Sequence, residues 1–226
     1  MLLLVTDTSG KQGRVALARA DERDRNDVQV IEEAALAGGM FSAQLVPQIA
    51  ALLAKHHFRR ADIDAFIVVS GPGSFTGLRV GLAAIKALAE ILKKPIAPVS
   101  LLEVLAIQSR LQGKVVALLD AGRGDTYFGA YEIAGESVQV LREQLMSKAE
   151  FLSAAPGSMV ITPDPAWVSV ARGTGLSAVQ VEPPSAEGIA RLGLRKLQAG
   201  ETVSPERLEA NYMRRSDAEM FVKTSS

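Results

Sequence analysis

Cysteine is missing from all 226 residues, histidine occurs twice and tryptophan once. The absence of cysteine excludes disulfides and thiol chemistry, and fits a reducing compartment such as the cytoplasm. The two histidines, His56 and His57, are neighbours whose side chains point apart. They cannot share a metal ion as an i, i+4 helical pair does. Nor can a Ser–His–Asp or Cys–His set be assembled around them. An excess of charge is also missing, with 25 Lys and Arg balancing 25 Asp and Glu. Nucleic-acid binders carry a basic patch. The pair Arg214-Arg215 is too short to make one, so the chain alone is expected to bind nucleic acid weakly or not at all. No apolar run reaches the ~18 residues of a membrane span. Met1-Leu2-Leu3-Leu4-Val5 lacks the positive region of a signal peptide and reads as a first strand.

What is present is ordinary soluble material, 48% hydrophobic and 22% charged, enough for one large domain or two small lobes. The most informative stretch is Asp64 to Leu92. Ala65-Phe66-Ile67-Val68-Val69 is a β-branched run that predicts a strand buried on both faces. A glycine hinge, Gly71-Pro72-Gly73-Ser74-Phe75-Thr76-Gly77, follows. It lacks the Gly-Lys-Ser/Thr of a phosphate loop, and Thr76 stands where the third glycine of a dinucleotide fingerprint belongs. A tight strand-to-helix turn, a phosphate contact and a partner surface all remain open readings. Leu78 to Leu92 is then helical. Its charges, Arg79, Lys86 and Glu90, fall within about 40° of each other at 100° per residue. So narrow a polar stripe predicts burial on more than one side.

Along the rest of the chain, strands are expected over Leu2–Thr6, Arg14–Ala20 and Val28–Ala35, with Asp21 to Asp27 a solvated charged loop. Phe41 to His56 is helical, with Phe41, Leu45, Val46, Ile49, Leu52 and Leu53 on one stripe and Ala43, Ala50 and Ala54 on a small-residue face. Pro47 requires that this helix be kinked or start near Val46. Ile96–Val99 is a strand, and Leu101–Leu111 a helix opened by the capping-box pair Ser100 and Glu103. Val115–Leu119, Thr126–Ile133 and Val138–Arg142 are strands. Shorter elements follow: strands Ser158–Thr162 and Val179–Val181, a short helix around a core Trp167, and a helix Ser185–Gln198. An extended tail follows, with Tyr212 as its anchor. Strand, aspartate, turn, strand occurs twice, ending first at Asp7 and again at Asp120.

The run Ser70-Gly71-Pro72-Gly73-Ser74-Phe75-Thr76-Gly77-Leu78-Arg79-Val80-Gly81 resembles the signature of the bacterial TsaB (YeaZ) family. So do Asp7-Thr8-Ser9, Ser100-Leu101-Leu102-Glu103, Asp120-Ala121 and the tail Tyr212-Met213-Arg214-Arg215-Ser216-Asp217-Ala218-Glu219. The resemblance implies an α/β, two-lobed, actin-like (ribonuclease-H-like) fold. The lobes are expected at 1–100 and 101–226, with the dimerisation helices in the first and an extended tail in the second. It also implies a non-catalytic subunit of the machinery that makes threonylcarbamoyladenosine at position 37 of tRNA. Its partners would be the homologous transferase TsaD and the ATPase TsaE. It would form a homodimer when alone and reach tRNA only through the complex. No cofactor, metal or catalytic residue is carried over. The partner surface would comprise Phe41, Leu45, Ala50, Ala54, Gly77, Leu78, Gly81, Ala84, Ile85 and Leu88. Asp7, Asp120 and Arg123 would be vestiges of a nucleotide-facing site. Two departures from the family pattern stand out: Phe41 replaces a histidine, and Gly122 an arginine. A stand-alone ATP-dependent actin-like kinase or hydrolase is the alternative.

Overall fold

The computed structural model describes residues 1–21 and 27–213. The charged loop centred on residues 22–26, and Arg214 to Glu219 of the tail motif, lie outside the described residues. The chain divides into two compact units, Met1–Ser100 with Ser185–Asn211, and Leu101–Pro184 with the chain from Tyr212 on.

The first unit is built on a five-stranded sheet, β1 (Leu2–Asp7), β2 (Gly13–Ala20), β3 (Val28–Leu36), β4 (Ala65–Gly71) and β5 (Ile96–Ser100), in the order β3-β2-β1-β4-β5. The first three strands are antiparallel, and β4 and β5 run parallel to β1. β1 is buried at every position. The near-continuous apolar runs of β1 and β4 belong to strands covered on both faces. One face carries helices α1 (Phe41–Lys55) and α2 (Phe75–Leu92). There Leu2, Leu4, Val15, Leu17, Phe66 and Val68 pack with Phe41, Leu45, Ile49, Leu82 and Ile85.

The later helix of this unit, Ala186–Gln198, reaches the sheet through Gly193, where any Cβ would strike Ile67. Ile67 alternates with Phe66 and Val68, so this helix covers the opposite face. The expectation had placed Ser185–Asn211 in the second lobe. Its apolar stripe, Ile189, Ala190, Leu192 and Leu194, is buried on the first sheet instead. The segment after it runs along the β5 edge. Val203 bridges Ile96, Leu208 is buried, and the Asn211 N–H donates to the Ser70 carbonyl at 2.7 Å. Leu208 therefore anchors the tail, not Tyr212, which is 42% exposed.

The second unit repeats the plan. Helix α3 (Leu101–Gln108) leads into β6 (Gly113–Gly122), β7 (Asp125–Ala134) and β8 (Ser137–Ser147). Helix α4 (Lys148–Ala154), β9 (Met159–Thr162), α5 (Pro165–Gly173) and β10 (Ala178–Gln180) follow. The sheet order is β10-β9-β6-β7-β8. As in the first unit, an antiparallel three-strand meander is extended by two parallel strands. This is the duplicated, ribonuclease-H-like plan of the actin-like fold. α4 and α5 cover one face, where Trp167 and Phe151 meet edge to face at 5.9 Å. α3 covers the other with Leu102, Leu105 and Ala106 against Val115, Ala117 and Tyr131. The final helix, Ala186–Gln198 of the first unit, is α6 in chain order.

Pro47 neither ends nor delays α1, which runs unbroken from Phe41. The carbonyl its missing N–H would have engaged belongs to Ala43, on the exposed side where water can bond it. Helix α4 was not foreseen. Its signal is there in Ser147 and Glu150, which form a reciprocal capping box.

Among the described residues, β1 holds a buried hydroxyl that is left over. The Thr6 hydroxyl is fully buried in β1 with no hydrogen-bond partner. An unsatisfied buried hydroxyl costs about 1–3 kcal/mol, and an apolar isostere removes that cost. Thr6→Val is expected to raise the melting temperature in a thermal scan; a fall would show that the hydroxyl is satisfied in solution.

Candidate functional site

Four consecutive polar residues, Thr6, Asp7, Thr8 and Ser9, are buried where β1 ends. The last three form a turn that holds the glycine hinge in place. The Asp7 carboxylate accepts the Ser9 N–H at 2.9 Å and the Ser9 hydroxyl at 2.5 Å, an aspartate turn that fixes its own backbone. The Arg14 guanidinium lies 3.7 Å from the other oxygen of Asp7 and 3.3 Å from Glu33. The Ser9 carbonyl accepts the Ser74 N–H at 2.7 Å. The Thr8 hydroxyl donates to the Gly77 carbonyl at 2.8 Å.

The glycines follow from this contact. A Cβ at Gly73 would overlap the Ser9 carbonyl, one at Gly77 the Thr8 carbonyl, and one at Gly81 the Thr8 hydroxyl. Thr8 thus sits in a notch that α2 cuts for it. Ser74 caps α2, its hydroxyl accepting the Gly77 N–H at 3.3 Å. Gly71, at φ +147, lies against the Asn211 carbonyl. The hinge is a close-packed strand-to-helix turn held from both sides, by the β1 turn and by the returning tail.

This packing divides the residues expected at a partner surface. Phe41, Leu45, Gly77, Leu78, Gly81 and Ile85 are buried in their own unit. They cannot be offered to a partner, because α1, α2 and the Thr8 turn already cover them. Ala50 and Ala54 are exposed, and Ala84 and Leu88 are half-buried. The true outer face is broader than expected. On α1 it comprises Ala43, Val46, Pro47, Ala50, Ala51 and Ala54, and on α2 Val80, Ala83, Ala84, Ala87, Leu88 and Ile91. Val46 is 52% exposed and Ile91 75%. Apolar side chains thus line the outer side of both helices, Val80, Ala84 and Leu88 being half-buried against the core. The period-3.6 stripe located the helices. It did not tell the inner stripe from the outer, because Ala and Gly serve both.

At the rim of this face the Arg79 guanidinium stacks over the Phe75 ring, 3.6 Å from its centroid. At the far end of α1, Lys55 and His56 each lie 2.7 Å from a carboxylate oxygen of Glu32 on β3. These contacts, the Lys55 hydrogen bond first, hold the Glu32 carboxyl below the usual carboxylate range.

In the second unit Asp120 ends the regular part of β6 and accepts the Trp167 indole N–H at 3.2 Å. Arg123 and Gly124 form the two-residue tip of the β6–β7 hairpin, at φ 60 and 83. Two left-handed residues are what the right-handed twist of a hairpin demands. Asp7, Asp120 and Arg123 each have a local structural partner or turn role. Among the described residues no group of three or more His, Cys, Asp or Glu could hold a metal. Sequence reasoning missed Arg14 and Asn211. Arg14 follows from the β1–β2 register, in which it stands opposite Asp7. Asn211 carries no local signal, since it meets Ser70 and Gly71 only in the fold.

Residues 35–172 match the family model described as TsaD: tRNA N6-adenosine threonylcarbamoyltransferase. A relative from Bacillus subtilis, the tRNA threonylcarbamoyladenosine biosynthesis protein TsaB, is 32% identical over 67% of this chain. That match spans 65% of the relative's own length. The Escherichia coli protein of the same name is 27% identical over 96% of both chains. Among solved structures, YeaZ from Pseudomonas aeruginosa superposes with a TM-score of 0.73 at 22% identity, covering 93% of this chain and 99% of that one. This likeness confirms the two-lobed actin-like fold.

Two outcomes follow from the geometry. Gly77→Ala gains helix propensity of about 1 kcal/mol but forces a methyl into the backbone of Thr8, and such overpacking costs about 1–3 kcal/mol. Because backbone cannot yield as a side chain does, chemical denaturation is expected to show net destabilisation. A depressed carboxylate contributes stability above its unfolded value and loses it as pH falls through the folded one. Glu32→Gln should therefore lower the melting temperature near neutrality. The difference from the parent should close as pH drops below the ordinary value of 4.5.

Proposed function

The chain belongs to the TsaB (YeaZ) family, and from that premise we propose that it is a non-catalytic subunit in the synthesis of threonylcarbamoyladenosine on tRNA. It docks a homologous transferase of the TsaD kind through the outer face of α1 and α2. The ATPase TsaE joins that assembly, and tRNA is reached through it. A second copy of the chain occupies the same face when the transferase is absent, so the two compete.

The observation that carries this reading is the apolar outer face. α1 and α2 already bury their inner stripes on the sheet and against each other. What remains outside is Ala, Val, Pro, Leu and Ile over most of two helices. Small residues there let partner helices approach toward the 8 Å end of the usual range, and the isolated large groups Val46 and Ile91 serve as anchors. The non-catalytic part of the reading draws support from Asp7, whose carboxylate is engaged by Ser9 and Arg14. No helix among the described residues is long and apolar enough to cross a membrane.

The test introduces a bulky charge. Ala84→Arg and, at an exposed position, Ala87→Arg are expected to split the homodimer in sedimentation velocity and to abolish transferase binding. Circular dichroism and thermal melting should show both variants folded. If Ala87→Arg still dimerises and binds the transferase, the surface lies elsewhere. Magnesium-dependent ATP turnover by the purified chain alone would favour a stand-alone kinase or hydrolase instead.

A further inference from the structure

The chain has no cysteine, so a peroxide meets no thiol in it, and the next oxidisable sulfur is the thioether of methionine. Among the described residues Met40 is the exposed methionine, at 53%; Met146 is 3% exposed, and Met1, Met159 and Met213 are half-buried. Met40 stands at the start of α1, on a row that continues along the outer face of the helix. At 100° per residue Pro47 and Ala51 lie within about 20° of it around the helix, and Ala54 within about 40°.

The turn between β3 and α1 fixes its position. The Met40 N–H donates to the Ala37 carbonyl at 3.2 Å, and Gly39 supplies the left-handed residue, at φ +78. Gly38 lies against the Lys11 backbone, where any Cβ would overlap the Lys11 carbonyl. The Met40 carbonyl accepts the N–H groups of Ala43 and Gln44, each at 3.0 Å. The Gln44 amide then closes a clasp across the turn. Its Oε1 accepts the Ala37 N–H at 2.8 Å, which turns Nε2 toward Met40, 3.9 Å from Sδ. A thioether is a weak acceptor, so the Gln44 donor is poorly used. A sulfoxide oxygen on the same sulfur is a strong acceptor, and it would meet an amide N–H already held in place.

We propose that Met40 is an oxidation site for hydroperoxides, and that its sulfoxide weakens docking on the outer face of α1. In the step a lone pair of Sδ attacks an oxygen of the peroxide. The S–O bond forms as the O–O bond breaks, and the sulfur is oxidised by two electrons. The proton on the transferred oxygen passes to the departing one, which leaves as water or an alcohol. Gln44 Nε2 donates to the new oxygen, so the turn and the helix are kept. What changes is the end of the outer row, where a flexible apolar group becomes a polar one. The sulfoxide oxygen can accept a second hydrogen bond, and an apolar partner surface has none to give. The inference rests on the docking face proposed above and adds a chemical control over it.

The experiment treats the full chain with hydrogen peroxide and maps its peptides by mass spectrometry. Met40 is expected to gain oxygen faster than Met146, Met159 and Met213. A rate at Met40 no higher than at Met146 overturns the site. Docking is then read by sedimentation velocity before and after treatment, both as self-association and as binding to the transferase. Treatment should weaken the parent about tenfold, the order that one buried unsatisfied polar group costs. The same treatment should leave Met40→Leu at its own untreated affinity. A methionine sulfoxide reductase should restore the treated parent. Oxidation should leave the parent's melting temperature in place and lower that of Gln44→Leu, which lacks the donor; equal falls in both would overturn the Gln44 contact. If Ala87→Arg abolishes docking while the oxidised parent docks as before, the face stands and the control by Met40 falls. An untreated parent that neither self-associates nor binds the transferase overturns the face, and the control with it.

Discussion

The first unit depends on one contact, the seating of Thr8 in the notch between Gly77 and Gly81. Three demands meet there. β1 must end in a turn that buries its own polar atoms, α2 must start close against that turn, and the hinge between β4 and α2 must be tight. The Asp7 carboxylate satisfies the first by accepting from Ser9. The Thr8 hydroxyl satisfies the second by donating to the Gly77 carbonyl. The Ser9 carbonyl satisfies the third by accepting from Ser74. Each bond is worth only about 1 kcal/mol net, but leaving any of these groups buried and unpaired costs more. The glycines are thus fixed by steric contact with a specific neighbour, and phosphate binding need not be invoked for them.

From that seat the position of α2 is set, and with it the outer face. α2 approaches the sheet closely at its glycine end, where side chains are absent, and stands on Leu82, Ile85 and Ala89 further along. α1 lies beside it, with Phe41 in contact with the Gly77 position. Phe41 fills space beside Gly13 and Gly77, where an apolar ring needs no polar partner. The returning tail holds the hinge from the other side, through Asn211 on Ser70 and Gly71.

Much of this was legible in the residues. The strands β1, β2, β4 and β6 announce themselves as β-branched or alternating runs. α2 shows as a helix with one narrow polar stripe, and the twofold strand–aspartate–turn pattern gives the duplication. What was not legible has a common cause. Burial direction cannot be read from Ala and Gly, which fit equally against a sheet, a neighbouring helix or a partner. Hence Gly77 and Gly81 were expected on a partner surface and are filled by Thr8. Chain return is invisible too. Ser185 to Gln198 is amphipathic by pattern, but nothing local says which of two similar sheets it covers. Tyr212 has the size of an anchor, yet the smaller Leu208 lies over the core because the bridge between Val203 and Ile96 sets the register of the strap.

The two aspartates at equivalent strand ends show how one plan diverges. Asp7 is buried, tied to Ser9 and matched by Arg14 across the β1–β2 ladder. Asp120 is exposed and holds the lone tryptophan by its indole N–H. An acid at the end of both strands leaves a carboxylate to be satisfied in each unit. In the first the solution is internal and charged, with Arg14 in turn shared by Glu33. In the second it is a neutral donor from α5, the helix that closes the core around Phe151 and Trp167. Both carboxylates have become parts of the scaffold. With the strand ends committed to structure, the unpartnered surface of the first unit is the outer side of the helices that those strand ends position.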